Sequence, residues 1–127
     1  MILDPGLKVA AAAVVQTLMR EVRGVRGCVV STEDGFEMAS NAQNVGATAR
    51  LSAMASSMAA LGAIAGDENQ LGACSNVVIE AAGGFIVMLH ARRADVTLVL
   101  SVVASNEAVL GQVLYLSREA ARALERA

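Results

Sequence analysis

The sequence predicts a three-layer α/β/α sandwich around a five-stranded, largely antiparallel sheet, with the elements in the order α-β-β-α-β-β-β-α. In three segments, at the beginning, middle and end of the chain, apolar residues recur at helical spacing. Between these segments lie runs that are apolar at successive positions, which is typical of strands in a sheet covered on both faces. The 127 residues are expected to form a single domain, residues 1–127.

The first helix is expected to begin at the Asp4-Pro5 pair, because aspartate caps helices and proline suits their first turn. Its apolar residues recur every three or four positions until Gly24 ends the pattern. Residues 25–31 and 36–40 then predict two strands. Residues 32–35, which end in Asp-Gly, predict the hairpin turn between them.

The central helix is predicted over residues 45–66, which contain one charged side chain and no aromatic one. Its uncharged part, residues 51–66, is too short for a membrane span, which needs about 20 apolar residues. Helical spacing divides the segment into two stripes, of which the larger-residue stripe is expected to pack on the sheet and the smaller-residue stripe on a second helix. The alternative is that both stripes face one crowded core. The larger-residue stripe comprises Ala47, Leu51, Met54, Met58, Leu61 and Ala65, and the smaller-residue stripe comprises Ala49, Ala53, Ser56, Ala60 and Ala63.

Three further strands are predicted over residues 73–81, 85–89 and 96–103. Ser105 or Asn106 is expected to cap the last helix, with Glu107 near its positive end. The first and last helices can cover one face of the sheet, and the central helix can cover the other. The predicted inner face of the last helix comprises Leu110, Leu114, Ser117, Ala121 and Leu124.

The composition suggests that part of the surface is hidden by self-association. Hydrophobic residues make up 55% of the chain and charged ones 17%, against averages of about 45–50% and about 25%. A small protein short of polar residues is expected to cover apolar surface with another molecule.

The net charge of −2 and the absence of a basic stripe do not predict a nucleic-acid partner. The N-terminus lacks the basic start of a signal peptide, so a cytoplasmic location is expected.

The sequence contains no recognisable catalytic set, so the protein is not expected to be an enzyme or to need a cofactor or a metal. Cys28 and Cys74 are expected to be small buried hydrophobes, and a thiol enzyme that pairs either of them with His90 is a weaker alternative. The carboxylates near the first hairpin turn are expected to be solvated rather than to bind metal. They belong to Glu33, Asp34 and Glu37.

The third strand is predicted to offer an edge at which another chain can pair. It contains no proline or lysine and only one charge, so at a sheet edge it would lack the features that prevent pairing with another chain. Together with the smaller-residue stripe, this edge predicts a two-fold symmetric dimer. The expected interface comprises Ala49, Ala53, Ser56, Ala60, Ala63, Cys74, Asn76 and Val78.

Three stretches resemble, in order and spacing, a bacterial Roadblock/LC7 domain. They are GVRGCVVSTEDGFEMAS (24–40), VVIEAAGGFIVMLHA (77–91) and LVLSVVASNEAVLGQVLYLSREAARALE (98–125). The resemblance implies a profilin-like fold and a homodimer with one continuous sheet, joined through the third strands. It also implies a regulator or scaffold of Ras-like small GTPases, a class that includes regulators of bacterial gliding motility. Some such regulators accelerate GTP hydrolysis by ordering the GTPase's own residues.

The resemblance also implies that a Ras-like GTPase binds on the surface that carries the central helices. Arg50 and Ser57 lie off the larger-residue stripe and are the expected contacts. The alternative function is a small-molecule sensor. A ligand pocket usually needs aromatic and polar groups among apolar walls, and Phe36, Phe85 and Tyr115 are the only aromatic residues.

Overall fold

The computed structural model describes residues 4–41 and 45–127, and it confirms the predicted order of three helices and five strands. The elements are α1 (Pro5–Glu21), β1 (Val25–Thr32), β2 (Glu37–Ser40), α2 (Val45–Glu68), β3 (Asn76–Ala81), β4 (Gly84–Arg92), β5 (Thr97–Ser105) and α3 (Leu110–Arg126).

The five strands form one sheet in the order β2-β1-β5-β4-β3, and every neighbouring pair is antiparallel. The predicted hairpin joins β1 to β2, with Val29 opposite Ser40. Strand β5 lies in the middle, where it pairs with β1 on one side and β4 on the other. Strand β3 therefore lies at an edge of the sheet, which is the position that the docking prediction requires.

Helices α1 and α3 cover one face of the sheet and α2 covers the other, as predicted. The larger apolar core lies on the α1/α3 side, where Leu7 and Leu18 pack with strand residues such as Val30 and Leu100. Successive strand residues point to opposite faces, so neighbours of these residues form the smaller core beneath α2. That core is built from Val29, Leu51, Ala55, Ala59, Met88 and Val99.

The two ends of α1 follow the sequence signals. The Asp4 carboxylate accepts a hydrogen bond of 2.9 Å from the backbone N–H of Gly6, and Pro5 occupies the first turn. Beyond the helix, Gly24 has a φ of +87°. A Cβ at this position would lie 2.5 Å from the backbone nitrogen of Ala108. Glycine is therefore required here both for the left-handed conformation and for the close approach of the chain.

The predicted cap of α3 is wrong. The helix begins at Leu110, and its N-cap residue makes no side-chain hydrogen bond. Ser105 remains within β5, and its hydroxyl accepts from the backbone N–H of Glu107 at 3.3 Å in the turn that follows. The Asn106 side chain donates instead to the carbonyl of Ala82, at 2.9 Å. Ser105 therefore stays in the sheet and Asn106 contacts the β3–β4 turn, so neither residue caps α3.

The expected orientation of α2 is wrong for part of the larger-residue stripe, because α2 meets the sheet mainly through small side chains. Among residues 46–68 of α2, the buried ones include Ser52, Ala55 and Ala59, with Leu51 as the one large member. Met54 and Leu61 point outward, with 52% and 57% of their surface exposed. The alternative of a single core for both stripes is also wrong, since Ala49, Ala53, Ala60 and Ala63 are exposed as well.

Close contact continues at the last turns of α2, where two glycines face the segment that precedes β3. A Cβ at Gly62 would lie 2.8 Å from the Cys74 Sγ, and a Cβ at Gly66 would lie 2.2 Å from the Gly72 carbonyl oxygen. This glycine pair therefore serves packing within the chain.

Across residues 4–41 and 45–127, no helix has the length and apolarity needed to cross a membrane.

The two cysteines differ in environment. Cys28 is fully buried in the α1/α3 core, and desolvation raises the pKa of its thiol to about 12. Cys74 lies before the first residue of β3 and is only half-buried. Its Sγ donates to the Asn76 carbonyl oxygen at 3.4 Å. The expectation of a buried strand cysteine is therefore right for Cys28 and wrong for Cys74.

We expect Gly66→Ala to destabilise the protein although alanine favours helices over glycine by about 0.5–1 kcal/mol. The new methyl group would overlap the carbonyl of Gly72, and such overpacking costs about 1–3 kcal/mol. Gly111→Ala is the matched control, since a Cβ there would meet nothing within 4 Å. Urea unfolding measures both free energies. Equal stability of the two variants would contradict the close approach of α2.

We expect native Cys28 to resist a thiol reagent at pH 8, because its thiol is buried and remains protonated. Cys74 is expected to react faster, because part of its surface is exposed. Mass spectrometry of the Cys28→Ala and Cys74→Ala variants would measure the two rates separately. Modification of Cys28 in the folded protein as fast as in urea would show that this core is not closed.

Candidate interaction surface

Of the two cysteines considered as partners of His90, Cys28 lies on the opposite face of the sheet, and Cys74 approaches His90 through its backbone. His90 is half-buried near the end of β4, and its Nδ1 has no hydrogen-bond partner among the described residues. Burial lowers its pKa and the charge of Arg92 lowers it further, while Glu33 and the Cys74 backbone act in the opposite direction. Cys28 faces the α1/α3 core, whereas strand alternation places His90 on the α2 side with Met88. Within the described ranges, no three His, Cys, Asp or Glu residues are grouped to hold a metal ion.

The outward surface of α2 carries a row of three exposed side chains at intervals of seven residues, which is nearly two helical turns. Arg50 and Ser57 are both exposed, as expected for contact residues. Ile64 continues the row with 53% of its surface exposed. We call Arg50, Ser57 and Ile64 the outer row. Ile64 belongs to neither stripe of the sequence analysis, and its position seven residues after Ser57 is the signal that could have identified it.

One flank of α2 faces β3 and carries large apolar side chains. Met54 and Met58 line a depression of about 300 Å³ together with Ile79 of β3 and Ile86 of β4. Ile79 and Ile86 are only partly buried, so α2 leaves this part of the sheet uncovered. Helical spacing places Leu61 on the same flank. We call Met54, Met58 and Leu61 the β3-side flank.

The opposite flank of α2 faces the β1–β2 turn and carries the smaller-residue stripe. The Ser56 hydroxyl donates a hydrogen bond of 2.8 Å to the Glu33 carbonyl. A Cβ at Gly35 would lie 3.5 Å from the Ser56 Cβ and 3.7 Å from the Ala53 Cα. The structure therefore places most of the smaller-residue stripe away from the β3 edge, although Ala53 also lines the depression beside Ile79 of β3. Ala49, Ala53, Ser56, Ala60 and Ala63 lie toward the hairpin or outward, while Cys74, Asn76 and Val78 lie at the β3 edge.

The outer edge of β3 has no strand beside it in the described chain. Val78 faces the α1/α3 side, where it packs against the larger core. Alternation places Asn76 and Glu80 on the same side. The guanidinium of Arg118, from α3, donates to the Asn76 Oδ1 at 3.2 Å. The edge thus combines free backbone groups, an apolar centre and charged residues.

A second apolar groove, of about 420 Å³, runs between α1 and α3 on the other face of the molecule. Its walls are mostly alanine, valine and leucine, and its polar members are Thr17, Glu21 and Glu119. The groove is an apolar concavity that could serve the small-molecule alternative, but it lacks an aromatic wall. Its polar groups come from both helices, with Thr17 and Glu21 on α1 and Glu119 on α3.

The sequence and the fold both match known proteins. A family model described as Roadblock/LC7 domain matches residues 11–104. A comparison with curated proteins gave no match.

Three solved structures illustrate the likeness in fold. A Roadblock/LC7 domain from Streptomyces avermitilis is 20% identical, with a TM-score of 0.82 over 91% of this chain and 94% of that one. A protein described as MglB with a tetrameric arrangement is 21% identical, with a TM-score of 0.84 over 99% and 93%. The gliding protein MglB from Thermus thermophilus is 19% identical, with a TM-score of 0.83 over 99% and 93%. At these identities the structures share the fold, and the family model covers most of the chain. The protein therefore belongs to the Roadblock/LC7 domain family.

Proposed function

We propose that the protein is a non-catalytic homodimeric regulator or scaffold that binds a Ras-like small GTPase in the cytoplasm. The observation that carries the proposal is the apolar surface shared by α2 and β3. Met54 and Leu61 each expose more than half of their surface there, next to an edge of β3 that has no partner strand in the described chain. Large apolar surface beside a free edge is typical of an interface rather than of a solvated face.

Self-association would cover the β3-side flank and the β3 edge together. If two copies pair through β3, the second copy's α2 approaches the sheet next to the first copy's α2. The depression between Met54, Met58, Ile79 and Ile86 then receives side chains from that second helix. In a two-fold symmetric dimer, each copy uses the same surface, so the strand contact and the helix contact form together. The tetrameric arrangement described for one MglB supports self-association in this fold.

The β3-side flank is therefore proposed as the helix contact in place of most of the smaller-residue stripe. Ser56 already donates to Glu33 in its own chain and lies on the flank away from β3. Ala49, Ala60 and Ala63 share that flank by helical spacing. Asn76 and Val78 remain in the proposed interface, and Cys74 lies at its margin.

The outer row is the proposed contact with the GTPase. Arg50 and Ile64 are exposed on the outward surface of α2, and Ser57 lies between them at the rim of the depression, so the outer row borders the proposed dimer contact. A cation, a hydroxyl and an aliphatic side chain in a line suit a mixed polar and apolar protein contact. The role of Roadblock/LC7 proteins as regulators of Ras-like GTPases supports this class of partner. Any effect on hydrolysis would come from positioning the GTPase's own catalytic groups.

We expect Leu61→Glu to weaken the homodimer at least about tenfold, because it would bury an unpaired charge in the interface. Val9→Glu is the matched control, since Val9 is a helical residue with 71% of its surface exposed on the opposite face of the molecule. Sedimentation velocity over a concentration series measures the dimer dissociation constant. Ala63→Glu, on the hairpin-side flank, is expected to have little effect.

Two results would contradict this interface. A monomeric wild-type protein at micromolar concentration would remove the dimer altogether. A dimer that is disrupted by Ala63→Glu but not by Leu61→Glu would place the contact on the smaller-residue stripe.

We expect Arg50→Glu to weaken binding to the GTP-loaded partner at least about tenfold, because the charge at the centre of the contact is reversed. The melting temperature should change little, since an exposed charge contributes little to stability. Arg126→Glu, at the exposed end of α3, is the charge-matched control. Calorimetric titration against the Ras-like GTPase encoded nearest to its gene would compare the GTP-analogue and GDP forms.

The wild type should bind the GTP-analogue form more tightly than the GDP form. Failure of the wild type to bind either form would reject this GTPase partner. Normal binding by Arg50→Glu would remove the outer row as the contact while leaving the partner in place.

A further inference from the structure

The direction of the peptide groups in β3 limits how another strand can join it. Ala81 and Gly84 are paired across the two-residue β3–β4 turn, so their peptide groups face each other. Peptide direction alternates along an antiparallel strand. The N–H and C=O groups of Asn76, Val78 and Glu80 therefore point outward, toward the open edge. A second β3 can form a full ladder only if these three residues pair with one another.

The central symmetric register meets this condition in full, and the two registers on either side of it meet it in part; the three differ in which residue lies on the two-fold axis. In the central register Val78 faces its own copy, and Asn76 faces the partner's Glu80. A shift of two residues one way places Val77 on the axis, and a shift the other way places Ile79 there. A shift by a single residue would direct side chains to the wrong face of the sheet.

Apolar matching favours the central register. It sets the two Val78 side chains against each other on the α1/α3 face. On the α2 face it pairs Val77 with the partner's Ile79 twice. All of these residues are only partly buried in one chain, so pairing would cover surface that is now exposed. In the other two registers Glu80 would face Cys74 or Val78 instead of a polar partner.

The charged residues Glu80 and Arg118 also favour the central register. Glu80 and Arg118 take part in none of the ion pairs found in the described ranges. Arg118 is held at the Asn76 end of β3 by its hydrogen bond of 3.2 Å to the Asn76 Oδ1. Directly opposed residues have Cβ atoms about 4.5–5.5 Å apart. In the central register the partner's Glu80 faces Asn76, so its carboxylate comes within reach of the Arg118 guanidinium.

We propose that two copies of this chain pair antiparallel through β3 with Val78 on the two-fold axis, and that Arg118 of each copy forms an ion pair with Glu80 of the other. The inference rests on the proposed homodimer and adds its register and its charge contacts. Two identical ion pairs flank an apolar centre, so the charges select the register while Val77, Val78 and Ile79 supply the buried area.

Charge exchange tests the ion pair. Glu80→Arg alone and Arg118→Glu alone should each weaken the dimer at least about tenfold, because each places like charges together at two symmetric positions. The double variant restores opposite charges and should recover most of the wild-type affinity. Glu107→Arg with Arg126→Glu, both at exposed positions outside the interface, is the control for a change in overall charge. Sedimentation velocity measures each dissociation constant.

Disulfide trapping tests the register independently. Val77→Cys, Val78→Cys and Ile79→Cys would each be made in a Cys74→Ser background and oxidised with copper phenanthroline. Opposed residues in a hydrogen-bonded pair have Cα atoms about 5.5 Å apart, within the range that a disulfide bridges. Only Val78→Cys should give a covalent dimer rapidly. Non-reducing electrophoresis follows the reaction, and circular dichroism confirms that each variant is folded.

The outcomes separate this inference from the homodimer itself. A monomeric wild type would overturn both. A wild-type dimer in which Val77→Cys or Ile79→Cys cross-links fastest would keep the homodimer and overturn the register. A double charge variant no tighter than either single variant would overturn the ion pair.

Discussion

The close approach of α2 to the sheet is the constraint on which the rest of this surface depends. Ala55 and Ala59 bring the helix axis near the strands, and Gly62 and Gly66 extend the contact to the last turn. A helix that uses small side chains toward the sheet must direct its large ones elsewhere. Met54, Leu61 and Ile64 are therefore exposed. The apolar surface offered to other molecules results from the way in which the domain packs internally.

The same layer contains an energetic weakness. The hydroxyls of Ser31, Ser52 and Ser101 are buried, and none has a hydrogen-bond partner in the described part of the chain. Alternation places Ser31 and Ser101 on the α2 side of the sheet, together with Val29 and Val99. A buried unpaired polar group costs about 1–3 kcal/mol. Among the described residues, the α2 layer thus combines a small apolar core with three such hydroxyls, whereas the α1/α3 layer has a larger core and one, that of Ser117.

The element order and the two-sided burial of the sheet could be predicted because both leave periodic signals. Strands that are apolar at successive positions identified a sheet covered on both faces, and the Asp4-Pro5 pair located the start of α1. The orientation of α2 could not be predicted from the size of its side chains, because larger residues do not always face the sheet. The α3 cap was missed because the polar groups of Ser105 and Asn106 are used in tertiary contacts. The exposure of Ile79 and Ile86 could not be predicted from their sequence, because it results from the path of α2 across the sheet.

The sheet is assembled from two local units that meet along a single ladder. Strands β1 and β2 form one hairpin, and β3, β4 and β5 follow one another as a meander. Among the described residues, only the β1–β5 ladder joins the two units within the sheet, and it sets Val30 opposite Leu100. Closing so long a loop costs entropy, and pairing distant segments slows folding. The meander can form before that closure. The β3 edge therefore belongs to a unit that needs only pairing between successive strands, and it does not depend on that closure.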